Sequence, residues 1–384
     1  MAMEVLSPYK EATDIIIDAG GEKLKLCYQC GTCTGTCPWN LVRSFVVRRL
    51  MHEAQLGVTD FASEDVWQCA SCRACVQRCP RGVEIIDVMR AVRRAIVTLG
   101  VAQVPDALRI TAKNIATVGN PLGEAPEKRA DWAKDLGLKK FTAGTEILYF
   151  PCCVPSYDPN VRPMSLAAVD VLKKLGVDFG ILGIEEKCCG EAIRKAGHED
   201  TFQRLAKSNI GAFDANGVKK VVVSSAHCYH TFKNEYPELG SKAEVLHITQ
   251  YLSSLLDEGK LKFSKEVKKK VIYSDPCYLG RHNDVYDAPR KLLQSIPGVE
   301  LIEFPDCREE AICCGGGAGR IWMETPKDER FSNLRVDQAV EKGAEIIAVA
   351  CPYCYFNYRD SVLSMGKDNV LQVKDICELV AEAI

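Results

Sequence analysis

Two runs of cysteine share one spacing. Cys27, Cys30, Cys33 and Cys37, followed by Pro38, form C-x2-C-x2-C-x3-C-P, and Cys69, Cys72, Cys75 and Cys79, followed by Pro80, form it again. The short x2 steps wrap three thiolates around one face of an iron–sulfur cluster, and in two-cluster ferredoxins the fourth cysteine of each run reaches the other cluster. On that rule Cys27, Cys30, Cys33 and Cys79 hold one 4Fe-4S cubane, and Cys69, Cys72, Cys75 and Cys37 hold the second. Zinc knuckles need only two CxxC pairs, which leaves the regular third and fourth cysteines of each run without a role.

A second pattern follows, Cys-Cys-Gly, at 188–190 and again at 313–315. Adjacent cysteines do not comfortably ligate one iron, so the pair suits a multi-iron cluster whose neighbouring thiolates bind or bridge different irons. With the second pair stand Cys277, Cys351 and Cys354, making with Cys313 and Cys314 five thiols where a cubane takes four. Gly315, Gly316 and Gly317 would let the backbone approach such a cluster and turn N–H groups toward its sulfides. With the first pair stand Cys153 and Cys228, but Thr231 occupies the position of Cys354, and Cys152 corresponds only to Pro276. For Cys153, Cys188, Cys189 and Cys228 three readings stay open: an altered cluster, a further metal such as zinc held by those thiolates or by His227 and His230, or a vestigial module kept for packing. Tyr278, Arg281, His282, Tyr353 and Arg320 neighbour cluster cysteines in sequence and are candidates for proton donation or for binding an anionic substrate.

These residues must be placed by a repeated fold. In the first copy a strand from Glu146 to Phe150 precedes Cys152 and Cys153; a helix-periodic stretch, Ser165 to Leu175, leads to a strand near Asp178 to Leu182 and the Cys-Cys pair. A helix from Thr201 to Phe213 then precedes the strand VVVSS and Cys228. The second copy repeats the order with strands at Lys269 to Tyr273, 299–304 and 344–350, and helices at Ala288 to Ser295 and Asp328 to Glu341. From Cys153 to Cys188 is 35 positions and from Cys277 to Cys313 is 36. Each copy closes with a helix pattern, His247 to Leu256 and Val373 to Ile384. Two tandem α/β modules place cysteines at strand ends, where such folds hold ligands. The expected class is α+β: a helical two-cluster ferredoxin-like domain over 1–100, a helical connector over 101–144 carried by the charged PEKRADWAKDLGLKK, a degenerate module over 145–262 and a complete one over 263–384. Between the two cysteine runs, LVRSFVVRRLMHEAQLG reads as a helix with Arg43, Arg48 and Arg49 on its polar face, either solvated or facing an acidic redox partner.

Composition narrows the class further. A chain of 384 residues has no need of disulfide staples, so its 20 cysteines read as metal or redox groups. With 49 basic and 51 acidic side chains intermixed, no field for nucleic acid is expected. No apolar run is long enough for a membrane span, and the first residues lack a signal-peptide pattern, so a reducing cytoplasmic setting, free or peripheral to the inner face of a membrane, is expected. The Gly-rich GGGAGR follows a Cys-Cys pair and not a plain strand, so flavin or nicotinamide chemistry is expected in a partner.

The strings CYQCGTCTGTCP and CRACVQRCPRGVEI, the paired Cys-Cys-Gly modules, DPCYLGR and CPYC together resemble heterodisulfide reductase, in its D-type form, which fuses the small two-cluster subunit to the Cys-Cys-Gly subunit. The resemblance runs from about Cys27 to the C-terminus. It implies an iron–sulfur oxidoreductase of anaerobic metabolism, in which two cubanes feed a non-cubane cluster that splits the disulfide of two thiol coenzymes. Cys277, Cys313, Cys314, Cys351 and Cys354 match its five ligands, and Thr231 departs from the pattern of two-cluster catalytic subunits. Implied partners are a flavoprotein donor or a membrane haem or quinone subunit, with a small disulfide or thiol as substrate. The alternative is a relay protein that carries electrons between such partners without catalysis.

Overall fold

The computed structural model describes residues 8–384, so Met1–Ser7 and the first part of the N-terminal reading lie outside the described residues. Two four-stranded parallel sheets carry the repeat. In the first, β1 (Ile147–Phe150), β2 (Phe179–Gly180), β3 (Lys220–Val223) and β4 (Glu244–His247) stand in the order β2-β1-β3-β4. In the second, β5 (Lys269–Tyr273), β6 (Val299–Glu303), β7 (Ile346–Val349) and β8 (Gln372–Asp375) repeat it as β6-β5-β7-β8. The central strands ILYF and IIAV are wholly buried, as parallel strands covered by helices on both faces must be. In each sheet the chain first crosses to one side and then to the other, so the switch point falls between β1 and β3 and between β5 and β7. The carboxyl ends beside that point form the crevice in which open α/β sheets bind ligands.

The chain packs as two compact units. One comprises the chain up to Ala112 with Ala192–Asp200 and Gly315–Phe331; the other, holding both sheets, comprises Lys113–Glu191, Thr201–Cys314 and Ser332–Ile384. Divisions at 100, 144 and 262 therefore separate the sheets but not the packing. In the first unit the Arg93 guanidinium, 1% exposed, donates to the carbonyls of Val66, Cys69 and Lys195, and Trp39 meets Phe331 edge-on at 4.8 Å. Both late segments complete its core.

Helix Ile85–Leu99 is the axis of that unit, with nine buried residues on one broad face and a left-handed stop at Gly100. Helix Val47–Leu56 buries Val47, Leu50, Met51 and Ala54 and ends at Gly57, where a Cβ would lie 1.7 Å from the Tyr9 carbonyl oxygen. It starts later than the periodicity suggests because Pro38–Leu41 forms a 3₁₀ turn instead. Arg43 and Arg49 are engaged by acids of the same unit, Arg43 with Glu329 at 3.3 Å and Arg49 with Asp65 at 2.8 Å. The connector also differs from expectation. The regular helix is Asp106–Val118, and the charged stretch Pro126–Leu136 is 3₁₀, held by burial of Arg129, Trp132 and Ala133 and ended by left-handed Gly137. The closing helices start later than their expected bounds, at Ile248, one residue beyond His247, and at Ile376, three beyond Val373, because His247 ends β4, Val373–Asp375 belong to β8, and buried His247 and Asp375 serve as the N-caps.

Candidate iron–sulfur sites

In the N-terminal unit both cysteine runs fold alike. Each places two left-handed residues between its first three cysteines, Gln29 and Gly31 in one and Ser71 and Arg73 in the other, and continues as a single helical turn, Thr32–Gly35 or Ala74–Gln77. Left-handed residues alternating with extended or helical ones turn successive N–H groups inward. Consistent with this, Ser71 N–H donates to Cys69 Sγ at 3.4 Å and Val83 N–H to Cys79 Sγ at 3.4 Å.

Two cavities result. One, of about 20 Å³, is lined by Cys27, Cys30, Cys33 and Cys79. The other, of about 30 Å³, is lined by Cys37, Cys69, Cys72 and Cys75 with an apolar wall of Trp39, Phe45, Leu50 and Met89. Each cavity takes three thiols from one run and the fourth from the other, and Ile85 lines both. They differ in exposure. Cys30 is exposed and Thr32 holds its thiol below the ordinary range, whereas burial pushes the Cys69 and Cys75 thiols up. Arg320 belongs here and not with the late cysteines: its guanidinium donates to Gln68 Oε1 at 2.8 Å and lies over Trp39, and burial brings it down to about 10.

In the sheet unit every Cys-Cys-Gly cysteine follows a strand end. Cys277 comes after β5, Cys313 and Cys314 after β6, and Cys351 and Cys354 after β7, and all five are buried. Cys277 Sγ lies 3.7 Å from Cys313 Sγ, Cys354 Sγ lies 3.4 Å from Cys314 Sγ, and Cys354 also bonds Cys351. Asn357 Nδ2 donates to the Cys314 carbonyl at 2.8 Å. Gly315, Gly316 and Gly317 fall in the other unit, where Gly315 is left-handed and the carbonyls of Gly316 and Gly317 accept from Ile321 and Arg320.

The first module assembles its four expected thiols as well. Cys153 meets Cys188, Cys188 meets Cys189, and Cys189 meets Cys228. Gly190 N–H donates to Cys188 Sγ at 3.5 Å. His227 and His230 do not complete this set. His227 turns to the second module, bonding Cys351 and lying 3.0 Å from Glu191, with its ring between Tyr278 at 4.0 Å and Tyr353 at 4.4 Å. Burial alone would lower this imidazole, but Glu191 and Cys351 push it up to about 10. Burial alone would likewise raise the Cys351 thiol, yet bonds from Cys354 and His227 hold it well below its ordinary range. His230 contacts Asn234 at 3.0 Å and sits edge-on to His282, which stacks on Tyr278 at 4.1 Å. Of the other candidates, Arg281 is committed to the carbonyls of Glu309 and Ala311, bracing the loop ahead of Cys313.

Two further residues, neither given a role by the sequence pattern, join the first module's thiols. Cys152 joins the first module's thiols through a bond to Cys228, and its adjacency to Cys153 was the available signal. Arg129, in the connector, binds Glu186 at 3.0 Å while its charge adjoins Cys153, and nothing in its sequence setting marked it.

None of the 20 cysteines is bridged to another, and among the described residues no three His, Cys, Asp or Glu side chains form a compact single-ion group. Soft thiols in groups of four and five, buried in the sheet unit and mostly half-buried in the N-terminal one, with N–H groups aimed at sulfur, fit iron–sulfur clusters.

Comparison with known proteins supports this chemistry. A 4Fe-4S dicluster domain model matches residues 26–84, and a cysteine-rich domain model matches 147–233 and 271–359. The D-type subunit of the dihydromethanophenazine:CoB-CoM heterodisulfide reductase of Methanosarcina barkeri is 32% identical over 94% of this chain and 94% of its own. The chain belongs to the family of D-type heterodisulfide reductase subunits. The names of these relatives are those of oxidoreductases or a reductase subunit, the cysteine-rich and 4Fe-4S dicluster matches make this chain an iron–sulfur oxidoreductase of the same kind, and the two four-stranded sheets with a cysteine-rich helical part give it a mixed helix and parallel-sheet fold. The EtfAB:quinone oxidoreductase of Syntrophomonas wolfei is 36% identical over 84% of the chain, and a probable iron-sulfur-binding oxidoreductase of Bacillus subtilis is 35% identical over 84%. The chain spans about half the length of these two relatives, 47% of each. Among solved structures, a hypothetical protein from Helicobacter pylori shares the fold with a TM-score of 0.53 at 10% identity, covering 98% of this chain and 72% of its own. No helix of the described residues is long and apolar enough to cross a membrane.

Proposed function

We propose that this D-type chain receives single electrons at two 4Fe-4S cubanes and delivers them to a non-cubane cluster in its second module, where a small disulfide is reduced or thiols are reversibly oxidised. The cubane ligands are Cys27, Cys30, Cys33 and Cys79, and Cys69, Cys72, Cys75 and Cys37; those of the third cluster are Cys277, Cys313, Cys314, Cys351 and Cys354. What carries the reading is the grouping of thiols: each N-terminal cavity is lined by three cysteines of one run and the last of the other. When bound, the clusters supply one-electron carriers whose potentials follow burial and hydrogen bonds to sulfur.

The chain's own residues do the rest. Exposed Cys30 marks the edge that a partner, a flavoprotein or a membrane haem or quinone subunit, can approach. Trp39, Phe45 and Met89 keep water from the second cavity. His227 donates toward Cys351 and presents, with Tyr278 and Tyr353, a polar aromatic wall able to pass a proton to a departing thiolate.

The test is spectroscopic. The purified protein, oxidised with and without coenzyme-like thiols, is expected to develop a thiol-dependent EPR signal that Cys354→Ala removes while the cubane signals persist. Loss of the cubane signals in that variant would refute the modular assignment. A second reading, electron relay between a flavoprotein and a quinone-linked partner, draws on the similarity to the EtfAB:quinone oxidoreductase. Absence of any thiol-dependent signal with several thiols would favour it.

A further inference from the structure

The repeat leaves one thiol of the first module unexplained. Cys152 stands where the second module has Pro276, and it is 6% exposed. Its backbone adopts φ 80° and ψ 160°, a region that essentially only glycine enters without strain. Such a conformation persists only where the surroundings hold it, and it aims the side chain inward: Cys152 bonds Cys228, which bonds Cys189. In the second module the equivalent of Cys228 is Cys351, and the thiol that bonds both Cys351 and the second member of the Cys-Cys pair is Cys354. Cys152 therefore holds toward Cys228 the place that Cys354 holds toward Cys351.

Two further observations converge on the same spot. Thr231, at the sequence position of Cys354 and one helical turn beyond Cys228, is fully buried with an Oγ1 that has no hydrogen-bond partner. An unsatisfied buried hydroxyl is costly and needs an explanation. The Arg129 guanidinium, 2% exposed, gives Nε and Nη2 to Glu186 and also bonds Cys153, which its charge faces. A buried cation beside five thiols suits a centre that gathers negative charge there.

We propose that Cys152, Cys153, Cys188, Cys189 and Cys228 hold a second multi-iron sulfur cluster, with Cys152 supplying the ligand that Thr231 does not. Zinc takes four ligands at one ion, whereas this set has five thiols and contains two adjacent pairs, 152–153 and 188–189. The inference goes beyond the proposed function and is read from iron content, not from the thiol-dependent signal, so either can fail alone.

The test is metal and sulfide analysis of the full chain prepared without oxygen, beside its EPR spectrum. Four clusters of four irons give about sixteen irons per chain, and three give about twelve. The wild type is expected near sixteen and Cys152→Gly near twelve, with unchanged cubane signals reporting an intact fold, since glycine accepts this backbone. Cys152→Gly combined with Thr231→Cys should return to about sixteen, and Cys307→Ser, outside every group, should leave the count alone. A wild type near twelve, a Cys152→Gly protein that keeps its iron, stoichiometric zinc in place of the iron, or a double variant that stays near twelve would each overturn the assignment.

Discussion

The two Cys-Cys-Gly modules share strand order, parallel pairing and the placement of cysteines after strand ends, yet they differ at three positions beside the thiols. Cys152 answers Pro276, Thr231 answers Cys354, and the charge beside the thiols is Arg129 in one module and His227 in the other. Hydrogen bonding diverges too: Tyr149 of β1 bonds Ser224 at 2.8 Å, while Tyr273, at the same place in β5, has no partner for its hydroxyl. The lesson is that a duplicated sheet tolerates exchange of its ligands as long as donor atoms reach the same crevice. Backbone register fixes where the crevice lies, and loop residues decide what fills it.

The comparison breaks most readily at the thiols. Cys313→Ser is expected to abolish the thiol-dependent signal and bring disulfide turnover to background, whereas Cys188→Ser should remove only first-module iron; metal analysis and EPR of both variants check this, and equal loss in both would merge the sites. Next in size is Arg129→Met. It strands Glu186 in the core and should cost about 3–5 kcal/mol, seen as a lower denaturant midpoint by circular dichroism, while Arg129→Met with Glu186→Leu should recover most of it.

The strand-end caps should respond oppositely to pH. Burial lowers His247 from 6.5 to about 4; its Nδ1 accepts from Thr249 N–H, so Nε2 carries the proton toward the Ser224 carbonyl and the ring is neutral when folded. The unfolded chain then binds more protons between those values, so stability present above pH 6.5 is lost as pH falls toward 4, by up to about 3 kcal/mol. Burial raises Asp375, the equivalent cap, from 3.8 to about 8, so its contribution is full below 3.8 and is lost as pH rises through 8. Melting temperatures across this range should flatten on the acid side in His247→Asn and on the alkaline side in Asp375→Asn. The smallest effect is at the tyrosines. Tyr149→Phe should cost about 1 kcal/mol, and Tyr273→Phe, which removes an unsatisfied hydroxyl, should be neutral or stabilising in the same melts.

Much of this was legible in the sequence because cysteine spacing is set by cluster geometry and not by the surrounding fold. The crossed placing of Cys37 and Cys79 in the two cavity linings is what the rule for two-cluster ferredoxins leads one to expect, and six of the eight strands of the described residues stand out as apolar runs. Strands β4 and β8, EVLH and QVKD, did not: they are sheet edges, where one side lacks a neighbour and mixed polarity is tolerated, and they run straight into helices. Cys152 gets no role from the sequence, because a repeat aligned on its cysteines leaves without a place the one that has no match. Arg129 and His227 act through tertiary placement, which local pattern does not encode.

The three-part make-up of the N-terminal unit bears on how this chain can be cut and recombined. Trp39 packs on Phe331, Trp67 and Gln68 receive Arg320, and Arg93 reaches Lys195, so the wall around Cys37 and Cys69 is finished by residues translated long after both cysteine runs. A fragment ending near Ala112 would emerge from the ribosome with all eight cysteines of the two runs but an unfinished shell. The two-cluster part is thus not a cassette that can be lifted out and grafted elsewhere; its shell closes only after the chain has been made through β6 and on to Phe331.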